Sequence, residues 1–327
     1  MEKKYKLTEE TISINGKTLY RIEALKDFNN VIKGGKGGFI EKEDNLSQSG
    51  NCWVYNDAKV YGDARVYGDA RVYDNANVYC SAQVYDNAIV YGDARVCGNA
   101  IVRGNTRVFE NAEVYGIAWV FGNARVFDNA RVRGNARVFG YSEIFGNAEI
   151  FDNARVYGNA RVFDKAKVYG NAEIFDDVKI YDDAKIYGLA WVYRNAEVCG
   201  SAEVCGDARI CDDAKIYDDA KIYGLAWVYR NAEVCGSAEV CGSAEVCGDA
   251  KVESNGDYIV FKNWWSSGRY FTWTKSNDMW KVGCFYGTGE ELIEKAYKDS
   301  ELSGREYERV VKYVESILKN NNVDVLC

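Results

Sequence analysis

Histidine and proline are both absent from this 327-residue sequence, and methionine occurs only twice. Without histidine the chain lacks the usual general base near neutral pH and the commonest imidazole ligand for zinc. That excludes most hydrolases and His-ligated metal enzymes. Without proline, and with aromatic residues at 14%, the composition is not that of a disordered linker or acidic tail. No apolar run approaches the roughly 18 residues of a membrane helix, so no membrane contact is expected. The residues after Met1, Glu2-Lys3-Lys4-Tyr5-Lys6, offer no apolar leader. A cytoplasmic chain whose 11 cysteines stay reduced is expected. Its 41 Lys+Arg against 49 Asp+Glu, net −8, argue against nucleic acid, because phosphate binding needs a basic face.

What the sequence has is a period of six. Val or Ile fills every sixth position from Val54 to Val252, 34 positions in all. Ala fills the slot four residues later from Ala58 to Ala250, and only Thr106, Ser142 and Val178 depart from it among 33 positions. Two residues apart on an extended strand, Ala58 and Val60 share a face, while Lys59 and Tyr61 point the other way. Gly62-Asp63 then breaks the strand, since Gly, Asn and Asp tolerate the left-handed backbone of a sharp corner. Each hexad is one short strand and one corner, and it can bury its Val only by stacking on copies of itself.

Such hexads resemble the hexapeptide-repeat family, whose left-handed parallel β-helices use three hexads per triangular coil of 18 residues. The resemblance implies an all-β fold of about 11 coils with a filled Val/Ile/Ala interior. The entry segment Gly34-Gly35-Lys36-Gly37-Gly38-Phe39-Ile40-Glu41, then Asn45–Val54, resembles YdcK-like members, which occur in enteric bacteria, phages and prophages. Phage or prophage origin is the corresponding expectation. Thr11–Ile14, Asn15-Gly16 and Lys17–Ile22 read as a hairpin with a type I′ turn. The expected organisation is an N-terminal β cap over 1–53, the β-helix over 54–252 and a small α+β domain over 253–327. In that last domain, strands are expected at 258–262, 269–274 and 279–285. Two capping boxes, Thr288-Gly-Glu-Glu291 and Ser303-Gly-Arg-Glu306, are expected to start helices.

Within the resembled family, acyltransferases use a His as base between subunits and γ-type carbonic anhydrases hold zinc through His. This chain has none, so it is expected not to be an enzyme and to need no cofactor or metal. A divergent transferase is the alternative. Cys199, Cys205 and Cys211, like Cys235, Cys241 and Cys247, occupy the aromatic slot of successive hexads. They are expected to point outward from three different faces, with stacked partners two coils apart, beyond disulfide reach. Asp176-Asp177, Asp182-Asp183, Asp212-Asp213 and Asp218-Asp219 invite Ca²⁺, against which corner chemistry is the simpler reading. The repeat region carries 22 Lys+Arg against 29 Asp+Glu, and DNA mimicry by an acidic rod is a further alternative.

Positions 18 apart should stack into columns. One runs Tyr55, Tyr73, Tyr91, Phe109, Phe127, Phe145, Phe163, Tyr181 and reads as a structural ladder. Glu197, Lys215, Glu233 and Lys251 alternate in charge. Gly-Ile/Leu-Ala-Trp-Val occurs three times, at 116–120, 188–192 and 224–228, at offsets that are multiples of 18. One face should therefore present Ile117, Trp119 and Phe121, then Leu189, Trp191 and Tyr193, then Leu225, Trp227 and Tyr229. Arg209 should be sandwiched between Trp191 and Trp227. An exposed apolar stripe of this kind marks an interface, for a homo-oligomer (a trimer by family resemblance) or a protein partner, unless a terminal domain folds over it. Trp264, Trp265, Trp273 and Trp280, with Arg269 and Lys275, could hold a nucleotide or other small molecule, for example as an inhibitor of host defence. A 75-residue domain also needs such rings for its core.

The expected function is that of a rigid rod which self-associates or binds a protein. Residues 176–206 and 212–242 match at 30 of 31 positions, so the sequence has already tolerated a duplication of two whole coils. Deleting 207–242 should leave a folded, soluble protein by circular dichroism and size exclusion. Deleting 207–218 should turn every later face by two thirds of a turn and disrupt the columns. Aggregation of the first variant with normal behaviour of the second would contradict the 18-residue coil.

Overall fold

The computed structural model describes residues 2–265 and 268–321; Cys327 lies outside them. The hexads form a β-solenoid of about 12 turns, each side of a turn a two-residue strand. Each repeat strand before the last coil pairs in parallel with the one 18 residues on, as in Lys59↔Asn77 on one face, Arg65↔Gln83 on a second and Arg71↔Ile89 on a third. The Val/Ile row and the Ala row are buried throughout. The three departures from Ala are accommodated locally. Val178 is buried like its neighbours, whereas Thr106 and Ser142 turn their hydroxyls back onto the carbonyls of Arg103 and Phe139, at 2.6 and 2.9 Å. No buried hydroxyl there is left without a partner.

The solenoid starts earlier than the period does. Strands β1 (Tyr5–Ile14) and β2 (Lys17–Ala24) form the expected hairpin, with Asn15 and Gly16 both at positive φ. Strand β3 (Lys36–Ile40) pairs antiparallel with β2 on one side and parallel with the hexad strand Lys59–Val60 on the other. Phe39↔Lys59 and Leu46↔Val66 are 20 apart, whereas Trp53↔Arg71 is 18 apart. Two extra residues between Leu46 and Trp53 hide this coil from a strict six-residue count. Segment 1–53 is thus both a hairpin cap and most of a first coil.

A parallel ladder leaves amides and carbonyls unpaired at both of its open ends. Residues at the start of a strand and just after it donate N–H to the next coil, as in Trp53 N to Ala70 O and Tyr55 N to Val72 O, and the strand pairing returns bonds in the other direction. The groups at both ends need partners from outside the repeat. At the N-terminal end the cap supplies donors. Arg21 reaches Gly37 O at 2.9 Å, the Tyr5 hydroxyl reaches Leu46 O at 2.6 Å, and the buried Lys4 ammonium reaches Cys52 O at 2.9 Å. At the C-terminal end the following domain supplies acceptors. Glu239 N donates to Asn255 Oδ1, Glu245 N to Thr272 Oγ1 and Lys251 N to Ser276 Oγ, at 2.7, 2.9 and 2.7 Å.

That C-terminal domain is a four-stranded antiparallel sheet, Tyr258–Lys262, Tyr270–Thr274, Met279–Val282 and Phe285–Gly287, packed on helices α1 (Gly289–Asp299) and α2 (Glu301–Asn321). The reading of three strands is corrected, because the last one turns at Gly283 into two. Thr288 caps α1, and Glu291 reaches back to close the box as expected. The Ser303 box is not used. Ser303 N–H bonds to Ser300 Oγ, so the second helix starts three residues earlier.

Removing one terminal acceptor should leave a single orphan N–H at the rod's end. Thr272→Val, close in size, should lower stability by about 1–3 kcal/mol and be read as a drop in the urea midpoint. Thr272→Ser should retain most of it.

Candidate functional site: the tryptophan face

The corners come first, because they set which way every outward side chain points. Their first residue lies at positive φ, whether Gly62 at 71° or Asp74 at 58°. Where it is Asp, the carboxylate accepts the amide of the residue one coil on. Asp182 takes Gly200 N–H at 3.0 Å, Asp218 takes Gly236, Asp176 takes Arg194 and Asp212 takes Arg230. Asp177 and Asp213 accept from Asn159 and Asn195. Corner chemistry thus accounts for the Asp pairs, and among the described residues no group of three or more acidic or Cys side chains has metal-site geometry.

The ladder column is present, with rings 4.3–5.0 Å apart in six of its seven steps. Beyond Tyr181 the column alternates Tyr with Cys, and the Tyr hydroxyl bends to a Glu 16 residues on. Tyr181 donates to Glu197 at 2.7 Å and Tyr217 to Glu233 at 3.0 Å, and on another face Tyr223 donates to Glu239 at 3.2 Å. This corrects the charge ladder. Glu197, Lys215, Glu233 and Lys251 are in register, but both Glu accept phenols and Lys251 pairs with Glu253 at 2.5 Å. It also corrects the cysteines. They point away from the core, yet Cys211, Cys235 and Cys247 are buried between the rings and chains above and below them. The Tyr–Glu offset of 16, one coil less two residues, was visible in the sequence once the 18-residue coil was accepted.

The three Gly-Ile/Leu-Ala-Trp-Val copies do share one face, the 11-stranded sheet. Ile117, Trp119, Leu189, Trp191 and Leu225 are exposed, Leu225 to 62%, and Trp227 is half-buried. Phe121 and Tyr193 lie in the ring ladder beside them, on Phe139 at 4.7 Å and Phe175 at 5.0 Å. The Arg209 sandwich is only one-sided. Arg209 lies over Trp191 at 5.5 Å, whereas Trp227 donates Nε1 to Cys211 Sγ at 3.3 Å and tilts onto Tyr229. Arg137 covers Trp119 in the same way. The terminal domain docks on the end of this face, with Lys281 3.6 Å from Glu245, and leaves the Ile117 and Leu189 corners open.

The C-terminal tryptophans divide between core and surface. Trp273 and Trp280 are core residues with Phe271 and Val311, and Trp273 Nε1 donates to Asp278. Trp265 packs against that core, and Trp264 is 82% exposed. Lys275 lies 3.8 Å from Asp257. Arg269 runs along Gly283, at the other end of the strand that Lys275 follows. The sheet does not bring these six side chains into one pocket, so the cluster is mainly packing.

Stacked hexads around a filled aliphatic core define a hexapeptide-repeat β-solenoid protein. The YdcK β-solenoid repeat profile matches residues 58–74, 82–96 and 154–170. Over 62 residues the chain is 40% identical to the uncharacterized acetyltransferase YdcK of Escherichia coli strain K12, which is 16% of this chain and 19% of that relative. The match spans under a fifth of the relative's length. Over these repeats the chain is similar to YdcK-like hexapeptide-repeat β-solenoid proteins. The relative's name corrects the expectation of no enzyme, because it points toward a possible transferase. Among the described residues no helix is long and apolar enough to cross a membrane.

Burial between stacked neighbours holds several phenols neutral. Tyr193 is pushed up to about 12 by desolvation and then by its bond to Cys211, and Tyr258 to about 12 by desolvation and Cys241. Tyr181 and Tyr229 are raised as well, again mainly by desolvation. A phenol whose folded value is raised favours the fold fully below its ordinary value of 10.0 and loses that contribution as pH climbs toward about 12. Tyrosinate absorbance should therefore rise later in the native protein than in urea, and the urea midpoint should fall over that window.

Proposed function

We propose that this solenoid works as a rigid rod that docks onto a protein surface through its tryptophan face. The supporting observation is the coincidence on one face of three Trp and three apolar corners, at positions where other coils carry Asn, Asp or Ser. Ile117, Leu189 and Leu225 leave 49, 53 and 62% of their surface open in the monomer, and large apolar side chains exposed on one face usually mark an interaction site. Burying a Trp or Leu there contributes about 1.5–3 kcal/mol each, enough for several to hold a complex after the cost of association. The filled core makes the rod stiff, so the spacing between docking positions is constant.

A second reading, acetyl transfer, is supported by the name of the Escherichia coli relative. Its test is release of CoA from acetyl-CoA by the purified chain with amine and sugar acceptors.

Changing Trp119, Trp191 and Trp227 together to Glu should leave circular dichroism unchanged, because all three project from the core. It should abolish association measured by light scattering or by capture of the partner. Failure of the triple variant to fold would place those rings in the core and overturn the reading.

A further inference from the structure

A cleft of about 330 Å³ lies in the C-terminal domain between the start of α1 and one face of α2. Its floor is a set of N–H donors without acceptors. The capping box uses two of the N–H groups at the start of α1: Thr288 N–H goes to Glu291 Oε2 at 2.9 Å, and Glu291 N–H to Thr288 Oγ1 at 3.3 Å. The N–H groups of Gly289 and Glu290 have no partner within the helix. Beside them lies the indole of Trp280. That residue is 2% exposed, and its Nε1 has no hydrogen-bond partner among the described residues, whereas Nε1 of Trp273 donates to Asp278 at 2.8 Å. A Cβ at position 289 would stand 3.2 Å from Trp280 Nε1 and 2.7 Å from Val311 Cγ1, so glycine keeps the space between helix start and indole open. A buried donor without an acceptor is costly, and at a helix N-terminus such donors suit an oxyanion.

The rim carries the opposite preference. Asp278, Glu290 and Glu315 border the cleft with exposed side chains, and among the described residues no Lys or Arg does. A simple anion would be held by the donors and repelled by these carboxylates, and a simple cation would leave the donors unmet. A ligand with both charges a few bonds apart answers both sets. The remaining wall is α2, where Val311, Val314, Glu315 and Leu318 fall at i, i+3, i+4 and i+7 on one face. Apart from Glu315 that wall is apolar.

We infer that this cleft is a binding site for a free α-amino acid with an aliphatic side chain. Its carboxylate accepts from Trp280 Nε1 and the Gly289 and Glu290 amides, where the positive end of the helix dipole favours it. Its ammonium faces Glu315 and the other rim carboxylates, and its side chain lies along Leu318. The volume is at the lower end of the roughly 300–1,000 Å³ of small-molecule sites, which suits an amino acid better than a nucleotide.

The test is a thermal-shift screen of the full chain against the common L-amino acids at millimolar concentration, followed by calorimetry on the best of them. An aliphatic amino acid should raise the midpoint. Neither its N-acetyl form, which lacks the ammonium, nor its amide, which lacks the carboxylate, should do so. Trp280→Phe keeps an aromatic ring and removes the donor, and Glu315→Gln removes a rim charge. Each should weaken binding about ten-fold, the loss of one hydrogen bond to a charged group. No response to any amino acid overturns the inference. So does a response that the N-acetyl form or the amide reproduces, or one that either variant retains in full with an unchanged circular dichroism spectrum. Where Trp280→Phe alters that spectrum, Glu315→Gln, whose side chain is exposed, decides the matter alone.

Discussion

The rod depends on a parallel hydrogen-bond ladder between successive coils. Its strands are two residues long, far too short to be stable singly, so each holds only because it exchanges hydrogen bonds with the coils on both sides. The ladder leaves unpaired backbone groups at its two open ends. The terminal segments meet them with side chains: Arg21, Tyr5 and Lys4 donate to carbonyls at one end, and at the other Asn255, Thr272 and Ser276 accept from amides while Tyr258 donates to the Glu239 carbonyl. Lys4 shows how strongly the end constrains the sequence. An ammonium is buried there despite the desolvation that lowers its pKa, because the carbonyls of Gly50 and Cys52 have no coil below them to bond.

Stacking also explains the surface. With one residue of each kind every 18, like sits on like, and the side chains that stack without repulsion are rings, amides and alternating charges. Asn87, Asn105 and Asn123 bond in sequence along one corner, and Arg125, Glu143 and Arg161 alternate on one face. Individually such exposed contacts contribute little. Their effect is to set register, since a slip of one hexad would break every column at once. Against that background the Trp face stands apart. It interrupts the columns with residues that do not repeat from coil to coil.

The family relation and the chemistry separate at this point. The YdcK repeat profile matches hexads, which build the scaffold, and a scaffold can host many activities. The absence of histidine had led to the expectation of no catalysis. A missing residue type limits one mechanism and does not decide whether a protein is an enzyme.

Much of the fold was legible because the hexad is local. Val54 to Val252, the Ala row and the Gly/Asn/Asp corners each state their own conformation within six residues, and stacking is the only way to bury them. The shared face of Trp119, Trp191 and Trp227 followed from arithmetic on the same period. Three things depended on tertiary structure. The first coil over 36–54 carries two extra residues that break the count, and only pairing with Val60 and Val66 reveals it. The placement of Trp227 on Cys211 rather than on Arg209 depends on which neighbour has room, a matter of side-chain packing between coils. The end caps join residues far apart in sequence, such as Lys4 with Cys52 and Thr272 with Glu245. No local pattern encodes those contacts, because the orphan groups they satisfy exist only once the ladder has formed.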